Sequence, residues 1–218
     1  ANIVVEFNNR ILEEGERLLA DAGITVYARA SRDSEHLASL VNEFRDRVDA
    51  LVLAGGDGTL HTALHHVVQH DLTLGLIPAG TANDFARNVG VPENLCGAID
   101  VITCGNLIEV DLASANDTFF CNAAHMGLGV KVTEEMSAAS KKNLGLLGYL
   151  KALTRALPKS RNIRICVETE NDRYTARAIQ VTVGNGRYYG GGNLVSDDAY
   201  ITDEQLHLYG IEADRFWS

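Results

Sequence analysis

The sequence predicts an α/β first half built on a parallel sheet, followed by a β-rich second half. Three observations carry this. Strand and helix patterns alternate as far as about Asp111, and the apolar runs of that half end in glycine-rich polar turns. Beyond it, short strand patterns separated by Gly, Asn and Asp replace the alternation. Ile3–Phe7 reads as a strand and residues 11–22 as a helix with Ile11, Leu12, Leu18 and Leu19 apolar. Residues 24–28 read as a second strand. Residues 33–47 follow as a helix, with Leu37, Leu40, Val41 and Phe44 facing inward. Helices covering a parallel sheet make a Rossmann-like sandwich the expected architecture. In the second half, residues 118–123, 162–168, 174–183 and 205–211 read as strands of an antiparallel, sandwich-like domain. The expected domains are 1–112 and 113–218, with a ligand site in the cleft between them.

The most informative run is Gly55-Gly56-Asp57-Gly58-Thr59, between the strand pattern Ala50–Ala54 and a helix pattern at Leu60, Leu64, Val67 and Val68. Glycines there let backbone N–H groups approach an anion without interference from Cβ. The helix N-terminus adds a partial positive charge. A carboxylate among phosphates makes sense where a divalent cation bridges them, so Asp57 points to Mg²⁺. The competing reading is an ordinary helix cap by Asp57 or Thr59.

A second strand–turn–helix unit follows at once. Leu74–Ile77 reads as a strand, 78–81 as a turn containing Gly80 and Thr81, and 82–87 as the start of a short helix. Polar turns at the carboxyl ends of successive strands form a crevice, the usual ligand position in open α/β sheets. Thr81 is placed to donate to a phosphate, Asn83 to donate or to fix the turn, and Asp84 to hold metal-bound water. Helix capping is the alternative for Asn83 and Asp84.

Together, GGDGT and Gly80-Thr81-Ala82-Asn83-Asp84-Phe85-Ala86-Arg87 resemble the diacylglycerol kinase catalytic-domain family, in its bacterial YegS-type lipid kinase branch. GGDGT alone is shared with NAD kinases. A third patch, Gly184-Asn185-Gly186 with Gly190-Gly191-Gly192, is similar to the family's glycine-rich segment in the second domain. The resemblance implies a nucleotide site at Ser31, Gly55, Gly56, Asp57, Gly58, Thr59, Gly80, Thr81 and Asn83. It implies a catalytic Mg²⁺ at Asp57, Asp84 and Asp111. It also implies a structural Mg²⁺ at Asp203, with the backbone carbonyls of Tyr200 and Gln205. For Ser31, a simple helix cap is the rival reading.

Three departures stand out. The family usually continues GGDGT-x with Asn-Glu, where this chain has His61-Thr62. The family's Asp-Gly in the C-terminal metal motif is Asp203-Glu204 here, which strains the turn unless φ is negative. The family also runs on past this sequence's end, through a segment bearing the general base, so that base is expected beyond Ser218.

Composition narrows the function. A net charge of −10 argues against nucleic-acid binding. No apolar stretch reaches transmembrane length, and the N-terminal residues read as a strand rather than a signal peptide. Residues 131–164 hold eight Lys and Arg against two Glu, about +6. Leu146, Leu150, Leu153 and Leu157 mark one face there. A basic amphipathic helix of this kind either packs with a solvated basic face or lies on an anionic membrane. Cys96, Cys104, Cys121 and Cys166 lack metal-finger spacing and read as buried thiols of a reducing cytosol. His61/His65 and His66/His70 have zinc-compatible spacing but no third ligand in sequence, so exposed helix histidines are expected.

These readings converge on an ATP- and Mg²⁺-dependent lipid kinase acting on diacylglycerol, phosphatidylglycerol or a similar lipid hydroxyl. Its expected location is the cytoplasm, peripheral at the inner membrane face. The alternatives are an NAD kinase-like enzyme and a non-catalytic nucleotide- or lipid-binding module. An uncovered sheet edge leaves a homodimer open.

Overall fold

Parallel β-strands need crossover connections, and this chain supplies helices for them. The computed structural model describes residues 2–7, 11–128, 130 and 162–211. Strands β1 (Asn2–Phe7), β2 (Thr25–Arg29), β3 (Ala50–Gly55) and β4 (Thr73–Pro78) form one sheet in the order β2-β1-β3-β4. Every pair in it is parallel. Helices α1 (Ile11–Asp21), α2 (Ser34–Phe44) and α3 (Asp57–Gln69) follow the first three strands, and α4 (Asp84–Asn88) and α5 (Leu95–Cys104) follow β4.

The central strand β3 shows why both sheet faces are covered. Successive side chains point to opposite faces. Leu51 and Leu53 pack in one core with Leu37, Leu40, Val41 and Phe44 of α2 and Leu60, Ala63 and Leu64 of α3. Val52 and Ala54 pack in a second core with Leu19 of α1, Ala98 and Ile99 of α5, and Ile77. A strand buried on both faces reads as a continuous apolar run, as Ala50–Ala54 does.

The chain then forms a short hairpin, β5 (Ala113–Ala115) with β6 (Thr118–Phe120), followed by β7 (Ala123–Gly127). Next come β8 (Ile163–Glu168), antiparallel to β9 (Arg173–Ala178), then β10 (Gln180–Gly184). The small pair β11 (Tyr188–Tyr189) and β12 (Asn193–Leu194) and the strand β13 (His207–Ile211) complete the described elements. β13, β10 and β7 form a three-stranded sheet.

Packing divides the chain into two compact units. One comprises 1–122 and 184–206, the other 123–183 and 207–218. The segment 184–206 returns to the first unit through buried polar contacts: Asn185 donates to the carbonyls of Asp111 (2.7 Å) and Cys121 (3.1 Å).

Two single strands expected from sequence are each broken in two. The run 118–123 divides at Cys121-Asn122, and 174–183 divides at Ile179. At the second break the chain changes partners. β9 pairs with β8, whereas Ile179 donates to the carbonyl of Ile211 at 2.8 Å and β10 enters the other sheet. The cysteines also differ from expectation. Cys121 alone is buried, and Cys96, Cys104 and Cys166 are exposed because their helix or strand faces are uncovered. The proposed basic amphipathic helix lies outside the described residues. No helix among the described residues is long and apolar enough to cross a membrane.

Candidate phosphate-binding turns and their carboxylates

The strand order places β1 between β2 and β3, so the connections leave in opposite directions from that point. This is where open α/β sheets bind ligands, outside the carboxyl ends of the strands. The turn after β3 opens there. Gly56 is the extended residue before α3, and no side chain caps that helix. The first N–H groups of an α-helix have no intrahelical partner. Those of Asp57, Gly58 and Thr59 therefore have no intrahelical acceptor, the arrangement that suits an anion, and Gly58 is exposed.

The second turn is fused to the first. A Cβ on Gly56 would lie 2.8 Å from the Cα of Gly80, and a Cβ on Gly80 would lie 2.5 Å from the Cα of Gly56. Only glycine at both positions lets the two backbones touch. Ala79 N–H donates to the carbonyl of Gly55 at 2.9 Å and closes the junction. Gly55 has its own reason to be glycine, since a Cβ would meet the Thr59 side chain.

Asn83 holds the second turn. Its Oδ1 accepts Gly80 N–H at 2.9 Å and its Nδ2 donates to Gly80 O at 3.1 Å. It sits at φ +51, a left-handed conformation asparagine tolerates better than most residues. Of its two expected roles, the structure shows turn fixation. Thr81 is exposed at the tip.

The carboxylates have definite partners. Asp57 accepts Phe85 N–H at 2.9 Å, Asp84 N–H at 3.1 Å and the Nδ2 of Asn122 at 2.9 Å. Asp57 caps no turn of its own helix and instead caps α4. Asp84, only 3 % exposed, accepts Gly191 N–H (2.8 Å), Gly192 N–H (2.7 Å) and Arg87 Nη1 (3.2 Å). Gly190, Gly191 and Gly192 all have positive φ, so successive N–H groups form a concave anion nest that only glycine adopts readily. Arg87 also pairs with Glu93 at 2.8 Å and lies over the Tyr188 ring.

Asp111 stands elsewhere in the unit. Its carboxylate accepts Glu204 N–H at 2.7 Å, and its own N–H donates to Ile201 O at 2.8 Å. The Asp203 carboxylate closes the 200–205 turn by accepting Tyr200 N–H and Gln205 N–H, each at 2.9 Å. Glu204 has φ +56, so the strain expected of glutamate in place of glycine is present.

The structure thus links Asp57 with Asp84 through α4, and Asp111 with Asp203-Glu204. It does not gather Asp57, Asp84 and Asp111 around one point: among the described residues, no three His, Cys, Asp or Glu side chains cluster as a metal site. The histidines of α3 form none either. His61 and His65 are exposed, and His70 contacts Asn42 at 3.0 Å. Ser31 is half-buried between β2 and α2, and the cap of α2 is Asp33, which accepts His36 N–H at 2.8 Å. The cavity beneath the first turn, lined by Leu53, Asp57, Leu60, Asn83 and Phe85, holds about one water and has no room for a phosphate group.

Sequence reasoning did not single out Asn88 or Asn122. Their signal was weak: Asn88 directly follows the second motif, and Asn122 sits in an apolar strand pattern where a half-buried amide needs a polar partner.

Comparison with known proteins gives this geometry its setting. Residues 6–115 match the family model of the diacylglycerol kinase catalytic domain. Residues 120–215 match the YegS C-terminal NAD kinase beta sandwich-like domain. An Escherichia fergusonii protein named "Probable lipid kinase YegS" is 35% identical over 214 residues, covering 95% of this chain and 72% of that protein. A Klebsiella pneumoniae protein named "Probable lipid kinase YegS-like" is 33% identical over 205 residues, covering 92% and 69%. A Bacillus anthracis crystal structure superposes with TM-score 0.81 at 26% identity, covering 98% of this chain and 74% of that one. A second, of a diacylglycerol kinase from the same organism, superposes with TM-score 0.74 at 24% identity and supports the fold alone, covering 98% and 76%. The α/β unit with its two fused turns is that of a kinase. The chain belongs to the diacylglycerol kinase catalytic-domain family, in its YegS-type branch.

Proposed function

We propose that this chain uses ATP and Mg²⁺ to phosphorylate a lipid hydroxyl at a membrane surface, with diacylglycerol and phosphatidylglycerol as acceptors to test first. The observation that carries the reading is the uncapped N-terminus of α3, presented in a turn fused to a second turn through Gly56 and Gly80. Phosphoryl transfer asks a protein mainly for positioning and electrostatic stabilisation. The N–H groups of Asp57, Gly58 and Thr59 would bind phosphate oxygens, with the Thr81 hydroxyl donating from the second turn. Ser31, after the neighbouring strand, would contact the nucleotide. The P–O bond to ADP breaks as the lipid oxygen bonds to the γ-phosphorus, and the hydroxyl proton passes to a base.

The donor set suits Mg²⁺. Asp57 and Asp84 each accept three protein hydrogen bonds, leaving about one acceptor position apiece. Mg²⁺ keeps several waters and binds through one or two carboxylates plus substrate phosphates. Asp57 and Asp84 would hold such an ion, while Asp111 would hold its own turn through Glu204 N–H. When bound, the ion neutralises charge on the transferring phosphates. A second ion at Asp203, with the carbonyls of Tyr200 and Gln205, would brace the 200–205 turn.

The test is incubation with Mg²⁺, γ-labelled ATP and vesicles of each lipid, followed by phase partition. Label in the organic phase that is lost in Asp57→Ala supports the reading. ATP binding with no label in any lipid, from a chain extended through the segment expected to carry the general base, would overturn it in favour of a nucleotide-binding module.

A further inference from the structure

We infer that Asn122 and Asn88 are positioning residues that tie the glycine-rich loop at 186–192 to the Asp57 carboxylate through a relay of polarised amides. Asn122 Nδ2 donates to Asp57 Oδ1 at 2.9 Å. Asn88 Nδ2 donates to Asn122 Oδ1 at 3.3 Å. Asn88 Oδ1 accepts Tyr188 N–H at 2.9 Å, and Asn88 Nδ2 also reaches Tyr188 O at 3.3 Å.

The direction of this chain follows from its ends. An ionised carboxylate only accepts, and a backbone N–H only donates. Asn122 must therefore present its nitrogen to Asp57 and its oxygen to Asn88. Asn88 in turn must present its nitrogen to Asn122 and its oxygen to Tyr188. Every amide dipole points its donor toward the negative charge, the arrangement in which hydrogen bonds in series strengthen one another.

The surrounding backbone is shaped to hold the relay. A Cβ on Gly186 would lie 2.8 Å from Asn88 Nδ2, so glycine makes room for that side chain. Asn122 is fixed by Asn185, whose N–H donates to Asn122 O at 2.8 Å. Asn185 is 2 % exposed and also donates to the carbonyls of Asp111 and Cys121. The same loop grips Asp84 through Gly191 and Gly192. Asp84 is thus held directly, and Asp57 through Asn88 and Asn122, by one glycine-rich loop far along the chain. The relay's role in phosphoryl transfer rests on the function proposed above.

Uncharged variants test it, because Asn→Leu keeps the branched shape of the side chain and removes the amide's hydrogen bonds without adding a charge beside Asp57. Asn122→Leu, Asn88→Leu and the double variant are assayed with Mg²⁺, ATP and diacylglycerol vesicles. Expected are a fall in kcat on the order of a hundredfold in Asn122→Leu and about tenfold in Asn88→Leu, with KM for lipid unchanged. The double variant should be no slower than Asn122→Leu, because the two links act in series. Multiplying effects, or an Asn122→Leu kcat within about threefold of the parent, overturn the inference. Should the parent chain transfer no phosphate, the relay is read without substrate. The Asn122 side-chain amide proton resonance should then move in Asn88→Leu relative to the parent, and an unchanged resonance overturns the relay.

Discussion

The Asp57 carboxylate accepts Phe85 N–H at 2.9 Å, so the first residue of α3 caps the first turn of α4. Asn83, at the capping position of α4, has its side chain spent on Gly80. A cap delivered from 28 residues away locks the two turns together, and it leaves the N-terminus of α3 open for an anion.

Removing that cap should therefore cost stability even without nucleotide. Asp57→Ala leaves the N–H groups of Asp84 and Phe85 without their acceptor, a loss of about 1 kcal/mol or somewhat more. The expected fall in Tm is ~2–4 °C in nucleotide-free buffer, measured by calorimetry. An unchanged Tm would show that the cap contributes nothing.

Two glycines of the first turn, Gly56 and Gly58, should behave differently. Gly56→Ala drives a Cβ into the Gly80 backbone, which no rotamer change relieves, and should destabilise by about 1–3 kcal/mol. Gly58 has nothing within 4 Å of its would-be Cβ and lies in the first turn of α3. Gly58→Ala should raise stability by up to about 1 kcal/mol while weakening ATP binding, since the new methyl occupies the open face. Parallel melts and nucleotide titrations separate the packing glycine from the ligand-facing one.

Glu204 carries backbone strain at φ +56 in the 200–205 turn. Glu204→Asn keeps the N–H donated to Asp111 and suits the left-handed region better, so it should stabilise by roughly 0.5–1 kcal/mol. A lower Tm in that variant would mean the Glu204 side chain offsets its own strain.

Thiol chemistry should sort the cysteines cleanly. Burial, and then the nearby Asp57 charge, push the Cys121 thiol up to about 12, whereas Cys96, Cys104 and Cys166 are exposed. At pH 8 an aromatic disulfide reagent should titrate three thiols in the folded chain and the fourth only in denaturant. Rapid modification of Cys121 in native conditions would contradict the described packing.

His66 makes stability depend on pH. Burial first, then the neighbouring His65 and His70, lower its pKa below 6.5, and its Nδ1 is buried without a partner. A histidine with a depressed folded pKa favours folding above the unfolded value, and that contribution is lost as pH falls. Between pH 7.5 and 5.5, Tm should drop more in the parent than in His66→Gln. Equal drops in the two proteins would place the acid sensitivity elsewhere.

The sequence by itself determined the parallel α/β unit, the β-rich second half and the two glycine-rich turns. Each of these is written in local pattern. The run Ala50–Ala54 is apolar throughout because both faces of β3 are buried, and Gly56 and Gly80 are glycines because their backbones touch. Tertiary structure alone decided where the carboxylates point. Asp57 and Asp84 look like free acids in sequence, yet every partner except Arg87 lies 27 to 108 residues away, at Asp84, Phe85, Asn122, Gly191 and Gly192. The break at Asn122 was likewise hidden, since the run 118–123 has an unbroken strand pattern. Hydrophobic periodicity records which face of an element is buried. It carries no record of which distant N–H a carboxylate accepts, because that depends on how loops far apart in the chain meet over the sheet edge.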